Sequence, residues 1–340
     1  MRIDVHAHYW PASYLDKLVE LGRRDLVHAG RQRDDFDDRL AEMDSVGVDI
    51  QLLSAIGLNT EVAERTGAVE AARHINDVYA EVVARYGGRF GAFGSVPLPF
   101  VDEAIAESTR VLDDLGFAGI ALPCVVYGKP LDHADFAPFW AHLAERDAAI
   151  YVHPVGSDSR GHPGLDAFGL EFALGSTVQI AMAPLRVALS GLSTRHPSLR
   201  FVFALCGGVL PYLWHRYERN LRRGLEMSAV AAVGAHYFDW IKELPLDPDD
   251  PMSLLRHFWY DTSVQDIPQA VRLSKESVGV ERILLGSDAI FASLTEAVQM
   301  IEKSPDLTDG ERTAVLDRNA QDMLNLPAPT APHPSAGTRR

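Results

Sequence analysis

The chain opens on Ile3-Asp4-Val5-His6-Ala7-His8, a short apolar run carrying two histidines one residue apart, with Pro11 just beyond it. An apolar run of this length that stops short of a proline reads as a buried strand ending in a loop. Side chains at i and i+2 of a strand point to the same side. His6 and His8 therefore present two imidazoles to one point, as a divalent metal requires. The competing reading is two unrelated buried histidines, and the rest of the chain has to decide between them.

The pattern continues along the sequence. Strands are predicted to begin near Ile3, Val48, Phe90, Gly119, Ala149, Arg200, His257 and Arg282. Helical stretches separate most of them: Asp37 to Val46, about Val62 to Tyr86, Asp102 to Leu115, Phe136 to Asp147 and Ser176 to Ser193. Two more close the chain, from about Leu294 to Lys303 and from about Asp309 to Leu324. Short apolar strands alternating with helices pair in parallel. Eight such units predict an α/β fold, a (β/α)8 TIM barrel whose chemistry sits at the C-terminal ends of the strands. A doubly wound open sheet would need a glycine-rich phosphate loop after the first strand, and His6-Ala7-His8-Tyr9-Trp10-Pro11 is nothing like one. The stretches at about 13–36, 155–175 and 209–256 read as loop insertions at the rim of that C-terminal face. One barrel is expected over residues 1–326. Residues 327–340, rich in proline, alanine and polar groups, are expected to form a disordered tail.

Composition bounds the function. The 340 residues are 47% hydrophobic, ample for a large core, and carry a formal net charge of −15. A nucleic-acid binder would present a basic face, so that class is set aside. The two cysteines, Cys124 and Cys206, make no disulfide framework, which fits a reducing compartment. No basic-then-apolar leader is seen, and no apolar run reaches the ~18 residues of a membrane span. The expectation is a cytoplasmic protein with no membrane partner.

Polar residues at strand ends are the chemical candidates. His6 and His8 end the first strand, His153 the fifth and Asp288 the eighth, in Leu284-Leu285-Gly286-Ser287-Asp288. Singly, His153 reads as a loop histidine and Asp288 as a helix N-cap. Together, three imidazoles and one carboxylate suit one divalent metal, with Zn2+ the first choice and Mn2+ the alternative. A second metal would want a carboxylated lysine on the fourth strand, but that strand runs Gly119 to Leu122 into Pro123-Cys124, and Lys129 lies well past it. His162 after the fifth strand, and His215 and Cys206 after the sixth, are further candidates for proton handling. Cys206 reads more readily as a small buried residue. Trp10, Phe168, Tyr212 and Phe291 supply an aromatic wall for a ring-containing substrate, and Arg160 and Arg216 are candidate cations for its carboxylate.

At this point the sequence resembles the amidohydrolase-2 branch of the amidohydrolase superfamily. The branch includes aminocarboxymuconate-semialdehyde and γ-resorcylate decarboxylases, with some hydrolases and hydratases. The resemblance rests on residues 3–11, Tyr151-Val152-His153-Pro154, Arg195-His196-Pro197-Ser198-Leu199-Arg200, Gly207-Gly208-Val209-Leu210-Pro211 with Arg216, Tyr260-Asp261-Thr262 and Leu285-Gly286-Ser287-Asp288. It spans nearly all of residues 1–326. It implies a metal-dependent barrel, a homodimer, and a role for Arg216 near the site of a neighbouring subunit.

One departure stands out. The family's sixth strand typically ends in His-x-Gly-Gly, and here the four positions are Leu205-Cys206-Gly207-Gly208. In the family that histidine activates water or handles a proton, and leucine does neither. A metal-hydroxide hydrolase needs a group that aims the water and takes its proton. A lyase can manage with a chelated substrate and one acid. The leading reading is a metal-dependent lyase, a non-oxidative decarboxylase of an aromatic or unsaturated carboxylic acid with Asp288 as proton shuttle. A metal-dependent hydrolase of a C–N, ester or C–C bond, and a degenerate barrel with a binding role, are the alternatives.

Overall fold

A computed structural model describes residues 1–26, 36–58, 62–155, 164–165, 167–229, 239–264 and 267–326. Eight parallel strands form one sheet in the order in which they occur in the chain. They are β1 (Ile3–His8), β2 (Ile50–Ser54), β3 (Phe90–Gly94), β4 (Gly119–Pro123), β5 (Ala149–His153), β6 (Arg200–Phe203), β7 (Trp259–Asp261) and β8 (Ile283–Leu284). Backbone bonds carry the sheet from its last strand back to its first. Val5 N donates to Leu285 O, Asp288 N to His6 O and His8 N to Ala289 O. The predicted eight-strand barrel is what forms, with strand starts within two residues of the sequence reading except where β1 and β3–β6 coincide with it.

The strands are short and almost wholly buried because helices cover their outer faces. In chain order the helices are α1 (Ala12–Glu20), α2 (Asp37–Ser45), α3 (Arg65–Arg85), α4 (Val101–Thr109), α5 (Ala137–Ala144), α6 (Ser176–Leu189), α7 (Leu192–Arg195), α8 (Leu210–Ala229), α9 (Pro268–Val278), α10 (Leu294–Glu302), α11 (Asp309–Thr313) and α12 (Asn319–Met323). Two of them correct the sequence reading. α1 lies in the first expected insertion, and α8 fills 20 residues of the third. The missed signal in α8 is a stripe of Leu210, Trp214, Tyr217, Leu221 and Leu225 at helical spacing, of which Leu210, Trp214 and Leu221 are buried. Gly191, at φ +75°, ends the helix expected to reach Ser193 and lets α7 start in a new direction.

One stretch runs against the expectation that no segment is of span length. Glu171–Leu189 has 19 residues and a mean hydropathy of 1.4, long and apolar enough to cross a membrane by composition. Half of it is buried against the barrel, through Ile180, Ala183, Val187 and Ala188 among others, as expected of a core helix. The expected tail, 327–340, lies outside the described residues.

Candidate metal centre

β1 carries Asp4, His6 and His8 at alternate positions, all fully buried. On β5, Tyr151 and His153 pair in register with Ala121 and Pro123 of β4. Asp288 follows β8 at φ +57°, a left-handed conformation that aspartate tolerates better than bulkier residues. These placements gather His6, His8, His153 and Asp288 so that one ligand atom of each lies within 4.8 Å of all the others. Nε2 of His6 and Nε2 of His8 are 3.1 Å apart. Oδ1 of Asp288 is 3.3 Å from the first and 3.0 Å from the second. Ligand atoms held at metal bonds of roughly 2.0–2.2 Å sit about 3.0–3.5 Å apart, so the triangle has the right size for one small divalent cation. Oδ1 of Asp288 and Nδ1 of His153 are buried with no hydrogen-bond partner. Buried polar atoms are rarely left so, and on Asp288 the unused atom is the one turned to the two imidazoles.

Charge reinforces this reading. Burial works against a charged ring at His6, yet the carboxylates of Asp261 and Asp288 outweigh it and hold the group up at about 10. Burial, followed by the charge on His6, pushes His153 well below its ordinary value, and burial lowers His8. Burial would raise Asp288, but the His6 charge overcomes it and holds the carboxyl far below the usual range. Three imidazoles this close keep one positive charge among them. A divalent cation supplies that charge while accepting the nitrogen lone pairs.

A shell of polar residues fixes these ligands, and sequence reasoning missed most of it. Asp4 accepts hydrogen bonds from His6 N (3.1 Å), Ser287 N (2.9 Å), Ser287 Oγ (2.6 Å) and Gln51 Nε2 (2.7 Å). Arg39 of α2 donates to Gln51 Oε1 (2.7 Å) and to His8 O (3.0 Å). Asp261, at the end of β7, accepts from Nδ1 of His6 at 3.0 Å and from the Tyr151 hydroxyl at 2.9 Å. The available signal was the period of two: Asp4 precedes His6, and Tyr151 precedes His153, by one strand repeat.

The remaining candidates divide. Trp10 is buried, with its indole N–H donating to Ala55 O at 3.0 Å and its ring 5.1 Å from that of His8. Phe291 lies edge-on to His8 at 5.4 Å and reaches solvent. These two rings flank the centre. Cys206 is not brought into the donor cluster. Its thiol is buried beside the Ser274 hydroxyl of α9, and burial pushes it up to about 12, far from a reactive thiolate. His215 sits on α8 and not in a loop. Its side chain is 91% exposed and pairs with Glu218 at 3.4 Å. Phe168, Tyr212 and Arg216 also face solvent, Phe168 and Tyr212 at 96% and 79% exposure. Arg160 and His162 lie outside the described residues. Leu205 is half-buried at φ +57°, two residues past the end of β6.

A parallel barrel that gathers three imidazoles and a carboxylate at its strand ends belongs to the class of candidate single-metal barrels. The amidohydrolase family model, of the amidohydrolase-2 type, matches residues 3–326, and the chain belongs to that family. It is 28% identical over 298 residues to 2-amino-3-carboxymuconate-6-semialdehyde decarboxylase of Dictyostelium discoideum, covering 86% of this chain and 77% of that one. It is 29% identical over 321 residues to γ-resorcylate decarboxylase of Rhizobium radiobacter, covering 89% and 90%. Among solved structures it is similar to dihydroxybenzoic acid decarboxylase of Polaromonas sp. JS666 with bound manganese and the inhibitor 2-nitroresorcinol. That match has a TM-score of 0.78 at 25% identity and covers 96% of this chain and 97% of that one.

Proposed function

We propose that the protein is a divalent-metal-dependent lyase that removes the carboxyl group of a small aromatic carboxylic acid without oxidation. The observation that carries this reading is the convergence of His6, His8, His153 and Asp288 on one point, in a chain whose relatives named above are decarboxylases. His6, His8, His153 and Asp288 would hold one Zn2+ or Mn2+, which when bound would supply Lewis acidity toward a substrate carboxylate. Trp10 and Phe291 wall the space beside His8 and suit a planar ring.

Asp288 is the proton carrier in this reading. Its side chain is 18% exposed whereas those of His6 and His8 are fully buried, so it alone of these three meets both substrate and water. Ionised in the resting site, the Asp288 carboxylate takes a proton from water and passes it to the ring carbon bearing the carboxylate. The bond to the carboxylate then breaks, its electron pair restores the aromatic ring, carbon dioxide leaves, and Asp288 is left as the carboxylate it began as. Leucine at position 205 removes one base that a hydrolytic water could use and leaves Asp288 for that task, whereas the lyase route asks only for a held substrate and one acid.

The test is a panel of hydroxybenzoic acids incubated with metal-loaded protein in D2O, followed by carbon dioxide release and product mass. The expected result is stoichiometric carbon dioxide and one deuterium at the vacated ring carbon. Water consumption on an ester or lactone panel with no carbon dioxide would favour a hydrolase. Failure to retain any divalent metal would favour a binding role.

A further inference from the structure

The Asp261 carboxylate is the most heavily used polar group behind the centre. Its Oδ2 accepts from His6 Nδ1 (3.0 Å) and Tyr151 Oη (2.9 Å). Its Oδ1 accepts from Leu205 N (3.0 Å), Ser263 N (3.0 Å) and Ser263 Oγ (2.5 Å). Five donors from β1, β5, the end of β6 and the segment after β7 thus meet on one fully buried side chain. The crowding extends to the segment just after β8, where a Cβ on Gly286 would stand 2.8 Å from Cβ and Cγ of Asp261.

We propose that Asp261 is a positioning residue for the metal centre. It holds a proton of His6 on Nδ1 and so leaves Nε2, which lies beside His8 and Asp288, as the nitrogen that gives up its proton to a metal. The proposal rests on the metal-binding reading given above. An imidazole has one nitrogen to donate from and one to coordinate with, and the partner of the first settles the role of the second. The same carboxylate fixes the backbone N–H of Leu205, shared with Ser263 Oγ at 3.1 Å. The end of β6 is therefore anchored through its backbone, and the anchor does not depend on a histidine side chain at that position. This gives the chain a way to keep the ligand frame while carrying leucine there.

Asparagine is an informative replacement because it has nearly the same shape. Every group facing Asp261 can donate, so whichever way an amide is turned, its NH2 meets at least two donors. The experiment is competition between the protein and a chromophoric chelator for Zn2+, with folding followed by circular dichroism. Asp261→Asn is expected to weaken Zn2+ binding by roughly 10–100-fold. Asn76→Ala removes three buried hydrogen bonds to Ser95 and Glu107, none of which touches Asp261 or the four clustered side chains. It should lower Tm without moving the Zn2+ affinity, which separates positioning from plain loss of stability.

A second readout holds even where Asp261→Asn does not fold. In 15N-histidine-labelled, Zn2+-loaded wild type, with His6 assigned through His6→Gln, the proton of His6 should sit on Nδ1. A proton on Nε2 overturns the proposal, as does a folded Asp261→Asn protein binding Zn2+ within threefold of wild type. With Zn2+ still bound, the first result takes His6 out of the ligand set and leaves the metal site itself standing, and the second leaves the metal reading unchanged. Wild type that binds no Zn2+ at all overturns the metal reading and the positioning role with it.

Discussion

At the residue scale, the imidazole cluster sets a pH profile for the metal-free protein. His8 and His153 have folded values below 6.5, so they stay neutral where the unfolded chain takes up protons. Their share of stability is present above about 6.5 and is lost as pH falls. His6, raised to about 10, contributes stability that is full below 6.5 and is lost as pH rises through about 10. The chelator-treated protein should therefore be most stable near neutrality and lose roughly 1.4 kcal/mol per pH unit for each unbalanced proton on either side. Melting curves from pH 5 to pH 9 check this, and a monotonic trend would contradict it. Two substitutions test the neighbouring residues. Cys206→Ser should leave metal content intact, because the thiol faces Ser274. In the native protein Cys206 should also resist a thiol reagent at pH 8 and react only after unfolding. Leu205→His should not raise turnover of aromatic acids. It buries a polar ring at a strained, half-buried site and costs about 1–3 kcal/mol if that ring stays unpaired. A broad gain for this variant across the substrate panel would instead mark the wild type as a decayed relative.

At the scale of elements, the centre depends on where β8 meets β7. Gly286 N donates to Thr262 Oγ1 at 3.2 Å, while its Cα side lies against Asp261. Gly286→Ala inserts a methyl where the Asp261 side chain leaves no room. It should cost roughly 1–3 kcal/mol of stability and weaken metal retention by displacing Asp261 without removing its charge. Melting temperature and Zn2+ content of the purified variant report the two effects. Unchanged values for both would mean that β8 moves freely relative to β7. β1 is pinned differently, by Asp4 and Gln51 within the barrel and by Arg39 reaching across from α2. The first helix after a rim segment thus helps aim the first two ligands.

For the whole molecule, an unexplained feature among the described residues is exposed apolar surface in the segments that follow β5 and β6. Phe168, Phe172, Leu174, Val178 and Met182 are exposed along one segment ending in α6, and Tyr212 and Leu213 are exposed at the start of α8. Exposed apolar side chains in such number mark an interaction surface. The expectation is a homodimer that covers them and brings Arg216 near the neighbouring centre. Light scattering at micromolar concentration is the check, and a monomer would contradict it. Phe172→Glu should shift the population toward monomer by placing a charge in the contact.

The sequence by itself determined the eight strands, their parallel order and the four converging side chains of the candidate metal site. These follow from local facts: a short apolar run makes a strand, a period of two assigns faces, and a glycine or proline ends the run. Even α8 was legible, since its buried stripe recurs at helical spacing, although its charges let it pass for a loop. Tertiary structure decided the rest. That Cys206 turns to Ser274 and away from the ligands, that His215 points outward from a helix, and that Asp261 grips a histidine 255 positions away all depend on contacts between distant segments. Local patterning sets which side of a strand a residue faces. Only closure of the barrel brings the strand ends together and settles which donor each carboxylate meets.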